Sequence, residues 1–113
     1  MIKSKKVFVS LPMKDRDVEA IKAKQQDILK KYVAKTYSGI RYELMNTTHE
    51  SLCPPDDNFL WYLGLSIQKL GEADLVIFSD DWKEANGCRI EYLACELYNI
   101  PHIFEGDLEF YDD

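Results

Sequence analysis

The sequence is short of the features that mark several large protein classes. Its three cysteines, Cys53, Cys88 and Cys95, are an odd number with no Cys-x-x-Cys pair. That excludes both a disulfide framework and a zinc knuckle. The two histidines, His49 and His102, stand far apart in sequence; each reads as a surface or loop residue, and no metal is expected. No apolar run approaches the roughly 20 residues that a membrane span needs. Residues 1–6 are lysine-rich, but the apolar stretch behind them, residues 7–13, is interrupted by Ser10 and Pro12. It is too short for a signal-peptide core and lacks a small-residue cleavage site, so a cytoplasmic protein with no membrane partner is expected. Positive charge is in deficit: 14 Lys and Arg against 20 Asp and Glu leave a net charge of −6. Affinity for a polyanion comes mainly from basic side chains neutralising phosphates, so a nucleic acid polymer is not an expected partner. One small nucleotide in a local site remains compatible with that charge. No Gly-x-Gly-x-x-Gly and no Walker-type Gly-Lys-Ser/Thr string occurs, which disfavours dinucleotide oxidoreductases and P-loop kinases. No cofactor is expected.

What is present reads as one ordinary globular domain spanning residues 1–113. A chain of this length buries about two-thirds of the surface its unfolded form exposes, so one core can close without staples. The 46% apolar and 30% charged composition excludes disorder as a description of the whole chain. There are no internal repeats and no low-complexity tracts.

The signals alternate between strand and helix. Lys6-Val7-Phe8-Val9-Ser10 is β-branched and aromatic, a buried strand stopped by Pro12. Asp15 and Asp17 then open a helix, where acids suit the positive end of the dipole. Its apolar face is read as Val18, Ile21, Ile28, Leu29, Tyr32 and Val33. Lys22, Lys24, Lys30 and Lys31 read as a solvated face, and Gly39 ends the region. Residues 41–46 form a plausible second strand. Residues 47–57 are a loop containing Pro54-Pro55, and Asp56 or Asp57 can cap the next helix. Phe59, Leu60, Leu63, Ile67 and Leu70 read as that helix's apolar face. Leu75-Val76-Ile77-Phe78 is a continuous apolar run between Asp74 and Asp80, which suits a strand covered on both faces. Residues 80–85 are a loop, and Asn86-Gly87 starts a helix with Ile90, Leu93, Ala94 and Leu97 as its apolar residues. His102-Ile103-Phe104 is a short last strand, and residues 105–113 read as an acidic tail.

This β-α-β-α-β-α-β order predicts an α/β fold: a small parallel sheet, order 2-1-3-4, with helices on both faces. Ligands of such sheets sit beyond the carboxyl ends of the strands, where strand order reverses. Here that point lies between strands one and three. The loops placed there are residues 10–14, with Ser10, Pro12 and Met13, and residues 80–86, with Asp80, Asp81, Trp82 and Asn86.

Glu91 is the residue to single out. It lies just over one turn inside the third helix and shares a stripe with Gly87, Ala94 and Cys95. Gly87 allows a ligand close to the backbone, and free amides at the helix start favour a phosphate or carboxylate. A carboxylate beside such a site can attack an electrophilic sugar carbon. The competing reading is a solvent-facing Glu91 paired with Lys83 or Arg89. Asp80 and Asp81 stand where sugar hydroxyls would be contacted, while Asp74, at the opposite end of the strand, reads as a turn residue. Trp82 is either a stacking platform or lid for a base, or packing. Cys88 near a helix start is a candidate for a lowered thiol pKa. A Cys-centred hydrolase also needs a nearby His, and His102 begins a strand at the wrong end for that.

Val7-Phe8-Val9-Ser10-Leu11-Pro12-Met13 resembles the opening strand and turn of the nucleoside 2-deoxyribosyltransferase-like family. More narrowly, it resembles a small bacterial and phage branch of that family with no assigned function. Leu60-Trp61-Tyr62-Leu63-Gly64, Glu72-Ala73-Asp74 and Asp81-Trp82-Lys83-Glu84-Ala85-Asn86-Gly87-Cys88-Arg89-Ile90-Glu91 are similar to the same branch in the same order. The resemblance covers nearly the whole chain. It implies a flavodoxin-like, Rossmann-like fold and a homodimer or larger assembly. It also implies a nucleoside or nucleotide ligand and a Glu at the position of Glu91 that attacks C1′ of a deoxynucleoside or its 5′-monophosphate. The base leaves, and the glycosyl group passes to another base or to water. Gly87 would belong to the sugar or phosphate pocket, with Asn86, Cys88 and Arg89 beside it. Three positions depart from the active relatives. Phe8 stands where they carry a Tyr that helps position the Glu, Ser66 where an Asp handles the leaving base, and Ala85 where a Ser binds phosphate. Serine can hydrogen-bond a base but donates a proton poorly near neutral pH, and Arg89 is an alternative phosphate contact. The expected activity is thus N-glycosidic cleavage or exchange. The alternatives are a catalytically weak or inactive nucleotide-binding module on the same fold, and an interaction protein using its acidic tail.

Overall fold

Residues 4–13, 16–36, 39–47 and 59–111 are described by a computed structural model. The first strand, β1 (Ser4–Ser10), enters the interior half-way along: its first three residues are exposed and its last four buried. It lies at the centre of a four-stranded parallel sheet of order β2-β1-β3-β4, where β2 is Arg41–Leu44, β3 Leu75–Phe78 and β4 His102–Phe104. The register sets Ser10 of β1 against Phe78 of β3, and Phe78 against Phe104 of β4. Just beyond the strands, the Ser79 N–H donates to the Ser10 carbonyl at 2.9 Å. The expected α/β class and strand order are therefore what is found.

Successive strand residues feed two separate cores, as the two-residue period requires. Val7, Val9 and Ile77 pack with Ile21, Ile28 and Leu29 of α1 (Val18–Lys35) on one face. Phe8, Val76 and Phe78 pack on the other with Leu70 of α2 (Phe59–Leu70) and Cys95 of α3 (Asn86–Tyr98). One helix thus covers one face, and two helices cover the other. No helix among the described residues is long and apolar enough to cross a membrane.

Several local expectations need correction. The second strand stops at Leu44, although the Met45 N–H still donates to the Val7 carbonyl at 2.9 Å. Asp17 occupies the N-cap position of α1 without a side-chain capping bond; Asp15, Asp56 and Asp57 lie outside the described residues. Val33 and Leu60, expected on buried faces, are exposed, at 44% and 74%. In α3 the apolar pattern misleads: Ile90, Leu93 and Leu97 face outward, while Cys88, Glu91 and Cys95 face the sheet. The cause is Tyr92. Its ring docks among Phe78, Trp82, His102 and Phe104, with centroid distances of 4.8–5.9 Å, and so fixes the helix rotation.

Nor are residues 105–113 simply an acidic tail. Glu105–Tyr111 is a 3-10 helix, with Glu105 and Leu108 buried. Lys24 and Lys31 of α1, expected to be only solvated, both donate to Glu105 Oε2, at 3.1 and 3.0 Å. Its Oε1 accepts the Asp80 N–H at 3.1 Å. Burial alone would raise the Glu105 pKa, but Lys31, the Asp80 N–H and Lys24 outweigh it and hold the carboxyl below its ordinary range.

Candidate functional site

The point where strand order reverses, between the carboxyl ends of β1 and β3, is bounded by the end of β1, the turn after β3 and the first turns of α3. A 3-10 turn, Trp82–Glu84, leads into α3 and sets where that helix starts. Glu91, one turn in, reaches back to β1: the Ser10 hydroxyl donates to Glu91 Oε1 at 2.7 Å. Glu91 is only 6% exposed. Its other oxygen accepts no bond among the described residues, and no buried side-chain polar atom there lacks a partner. That oxygen therefore takes the small exposed share. Glu91 is paired with neither Lys83 nor Arg89.

Burial pushes the Glu91 pKa up from an ordinary 4.5 to about 7, against the opposing effect of the Ser10 hydroxyl. The group is then poised between carboxylate and acid near neutral pH, the range in which general acids and bases work. Cys88, also buried, lies in hydrogen-bonding reach of Ser10. Its thiol rises to about 12, mainly by burial, with Glu91 and Asp81 adding and Ser10 and Arg16 opposing. The helix start does not produce a lowered thiol.

Asp81 is held from two sides. Ser79 Oγ donates to its Oδ1 at 2.6 Å and Arg16 Nη2 to its Oδ2 at 2.8 Å. Burial would raise its pKa, but Ser79 and Arg16 together bring it below the ordinary value. The pair links the turn after β1, where the Arg16 N–H donates to the Met13 carbonyl at 3.2 Å, to the turn after β3.

Helix α3 divides the predicted site residues between two flanks. On the α2 flank are Ser10, Gly87 and Glu91. A Cβ at Gly87 would lie 3.7 Å from Leu63 Cδ1 of α2, and half-buried Ser66 follows Leu63 by one turn on the same side of that helix. Buried Pro12 and half-buried Met13 continue from β1, with Met13 packed against the α1-side core. On the β4 flank are Asp80 and Trp82. They line a cavity of about 270 Å³ with Ser79, Lys83, Phe104 and Gly106. The Trp82 ring has Tyr92 at 4.8 Å and Lys83 Nζ at 5.6 Å. It is a packing element and is not gathered with Glu91. A second cavity, of about 210 Å³, lies by Lys6, Leu44, Asn46 and Lys69. Glu91 lines neither. Asn86 and Arg89 are exposed at the start of α3. Lys14, His49 and Cys53 lie outside the described residues.

Neither family models, nor characterised proteins, nor solved structures give a match to this chain.

At the opposite end of β3, Asp74 behaves as the turn residue expected, accepting the Lys6 N–H at 2.8 Å. His102 faces the Ile100 carbonyl and Glu96, at 2.8 and 3.3 Å. No three His, Cys, Asp or Glu side chains among the described residues are grouped to hold a metal. Three contributors escaped sequence reading: Ser79, Arg16 and Glu105. Ser79 had a usable signal, since it directly follows the apolar run of β3 at the end where ligands bind. Arg16 and Glu105 had none, because their partners are 65 and at least 25 residues away.

Proposed function

We propose that the protein cleaves or exchanges the N-glycosidic bond of a deoxynucleoside or deoxynucleoside 5′-monophosphate, with Glu91 as nucleophile. The observation that carries this reading is the buried Ser10–Glu91 hydrogen bond at the carboxyl rim, where strand order reverses. In the proposed reaction the ionised Glu91 oxygen bonds to C1′ as the bond from C1′ to the base nitrogen breaks. The base departs with that electron pair and takes up a proton. Water or a second base then attacks C1′ and frees the carboxylate. The Ser10 hydroxyl stabilises the ionised form. Ser66 and Gly87 lie on the flank where the ligand would sit. The reading also includes a homodimer or larger assembly and a cytoplasmic location.

Incubation with deoxynucleosides or their monophosphates, with and without a free base, followed by chromatography, tests it. Product should form at a rate that rises through about pH 7, following Glu91 ionisation, and Glu91→Ala should form none. Full turnover by Glu91→Ala removes the mechanism. A second reading, a binding module without turnover, is favoured by Phe8. It is 1% exposed and packed in the α2–α3 core, with no hydroxyl to help orient Glu91. Tight nucleotide binding without product would select it.

A further inference from the structure

The β4 flank of α3 carries a cavity that the Glu91 chemistry does not use. It holds about 270 Å³ at the carboxyl ends of β3 and β4, and Glu91 does not line it. Its apolar wall is aromatic: the Trp82 and Phe104 rings, both half-buried, stand 5.7 Å apart with a 33° tilt. Two opposite charges, Asp80 and Lys83, border the same space. They form no ion pair with each other, and neither has an ionic partner among the described residues. The Asp80 carboxylate nevertheless has a defined place. The Asp80 N–H is held by the buried Glu105 Oε1 at 3.1 Å. The carboxylate lies so near Gly106 that a Cβ there would stand 3.1 Å from Asp80 Oδ1, so this approach depends on glycine. Lys83 Nζ stands 5.6 Å from the Trp82 ring centroid, a cation–π distance, and keeps its donors for an acceptor. The Ser79 hydroxyl is already committed to Asp81 at 2.6 Å. The charged side chains of the cavity are therefore one anion and one cation.

We propose that this cavity binds a free α-amino acid with an apolar or aromatic side chain. Asp80 takes the ammonium group, Lys83 takes the carboxylate, and the side chain lies against Trp82 and Phe104. A ligand with a single charge leaves the opposite charge of the cavity unmatched, and a neutral nucleoside offers neither. A zwitterion matches both through charge-assisted hydrogen bonds and adds nothing to the net charge of −6. The aromatic wall then takes an apolar or aromatic side chain by burial and ring contact. This site is separate from Glu91, and its existence does not depend on the glycosidic reading.

Calorimetric titration of the full chain tests it with L-phenylalanine, 2-phenylethylamine, which lacks the carboxylate, and 3-phenylpropanoate, which lacks the ammonium group. L-Phenylalanine should bind roughly 10-fold more tightly than either analogue, because each analogue loses one charge-assisted contact. Asp80→Asn and Lys83→Met both leave the Asp80 N–H on Glu105, so the fold is retained. Asp80→Asn should weaken L-phenylalanine and 2-phenylethylamine by the same factor and spare 3-phenylpropanoate. Lys83→Met should weaken L-phenylalanine and 3-phenylpropanoate and spare the amine. Gly106→Ala, which crowds the Asp80 carboxylate, should reproduce the Asp80→Asn pattern. Equal binding of all three ligands by the unaltered chain would mean apolar contact alone and would overturn the proposal. So would either analogue binding as tightly as the amino acid, equal losses for all three ligands in either charge variant, or no binding of L-phenylalanine or L-leucine at millimolar concentration.

Discussion

Replacing Glu91 by Gln should make the protein more stable, and only above a particular pH. The folded chain keeps the Glu91 proton up to about pH 7, whereas an ordinary carboxyl releases it near 4.5. Between those values the native state binds a proton that the unfolded state does not, so stability falls as pH rises. The favourable contribution is complete below pH 4.5, declines through the window and is gone above pH 7. A span of 4.5 to about 7, at 1.36 kcal/mol per unit, amounts to about 3 kcal/mol. Glutamine keeps an oxygen to accept the Ser10 hydroxyl but carries no charge to bury. Urea unfolding of both proteins at pH 5 and pH 8 measures the difference. The variant should gain about 3 kcal/mol over the parent at pH 8 and far less at pH 5. For a domain of this size that is a Tm difference on the order of 10 °C at the higher pH. Comparing the two proteins at each pH cancels the other titrating groups. An advantage that is the same at both pH values, or a loss at pH 8, would refute the account of Glu91 as a carboxylate buried at a cost. A residue that destabilises its own fold at working pH fits a chemical role better than a packing one.

Ser10→Ala removes the hydroxyl that favours ionised Glu91; the carboxyl should titrate higher than in the parent, read by carbon NMR of labelled Glu. Glu105→Ala should cost about 2–3 kcal/mol, since it strands the Asp80 N–H and releases two lysines, while Glu105→Gln should cost roughly half, both by urea unfolding. Because the Glu105 pKa is lowered in the folded state, its contribution is present above the ordinary carboxylate range and is lost as pH falls through the depressed value. Glu105→Gln should therefore flatten the acid limb of the stability profile. Leu93→Gln and Leu97→Gln, on the outward face of α3, should shift the stability of the monomer by less than about 0.5 kcal/mol, whereas Phe78→Ala should cost about 3–5 kcal/mol.

The strands were legible because their residues leave few choices. Four apolar residues between two aspartates, as in Leu75–Phe78, can be satisfied only by cover on both faces, and that implies a parallel sheet. Handed crossovers narrow the strand orders without selecting one, and 2-1-3-4 is among those they allow. Helix rotation was less legible. Ile90, Leu93 and Leu97 outweigh two cysteines on any hydropathy scale, yet one aromatic docking, by Tyr92, turned them outward. The stripe shared by Gly87, Glu91 and Cys95 was nonetheless visible in the spacing, and it runs along the inner side of α3. The acidic ending was misjudged because a carboxylate reads as solvated until its lysines are located, and these belong to a helix some 80 residues earlier. For the same reason Arg16 and Asp81 could not be joined on paper. Long-range ion pairs leave no periodicity to read.

The contact between Ser10 and Glu91 closes 81 residues of chain. Nothing local assembles that pair. The first strand and the third helix must both be docked before the two side chains meet, so any intermediate lacking α3 carries no trace of that contact. Ligand should accordingly protect the whole domain from opening at once, and amide exchange in β1 and α3 should slow together on binding.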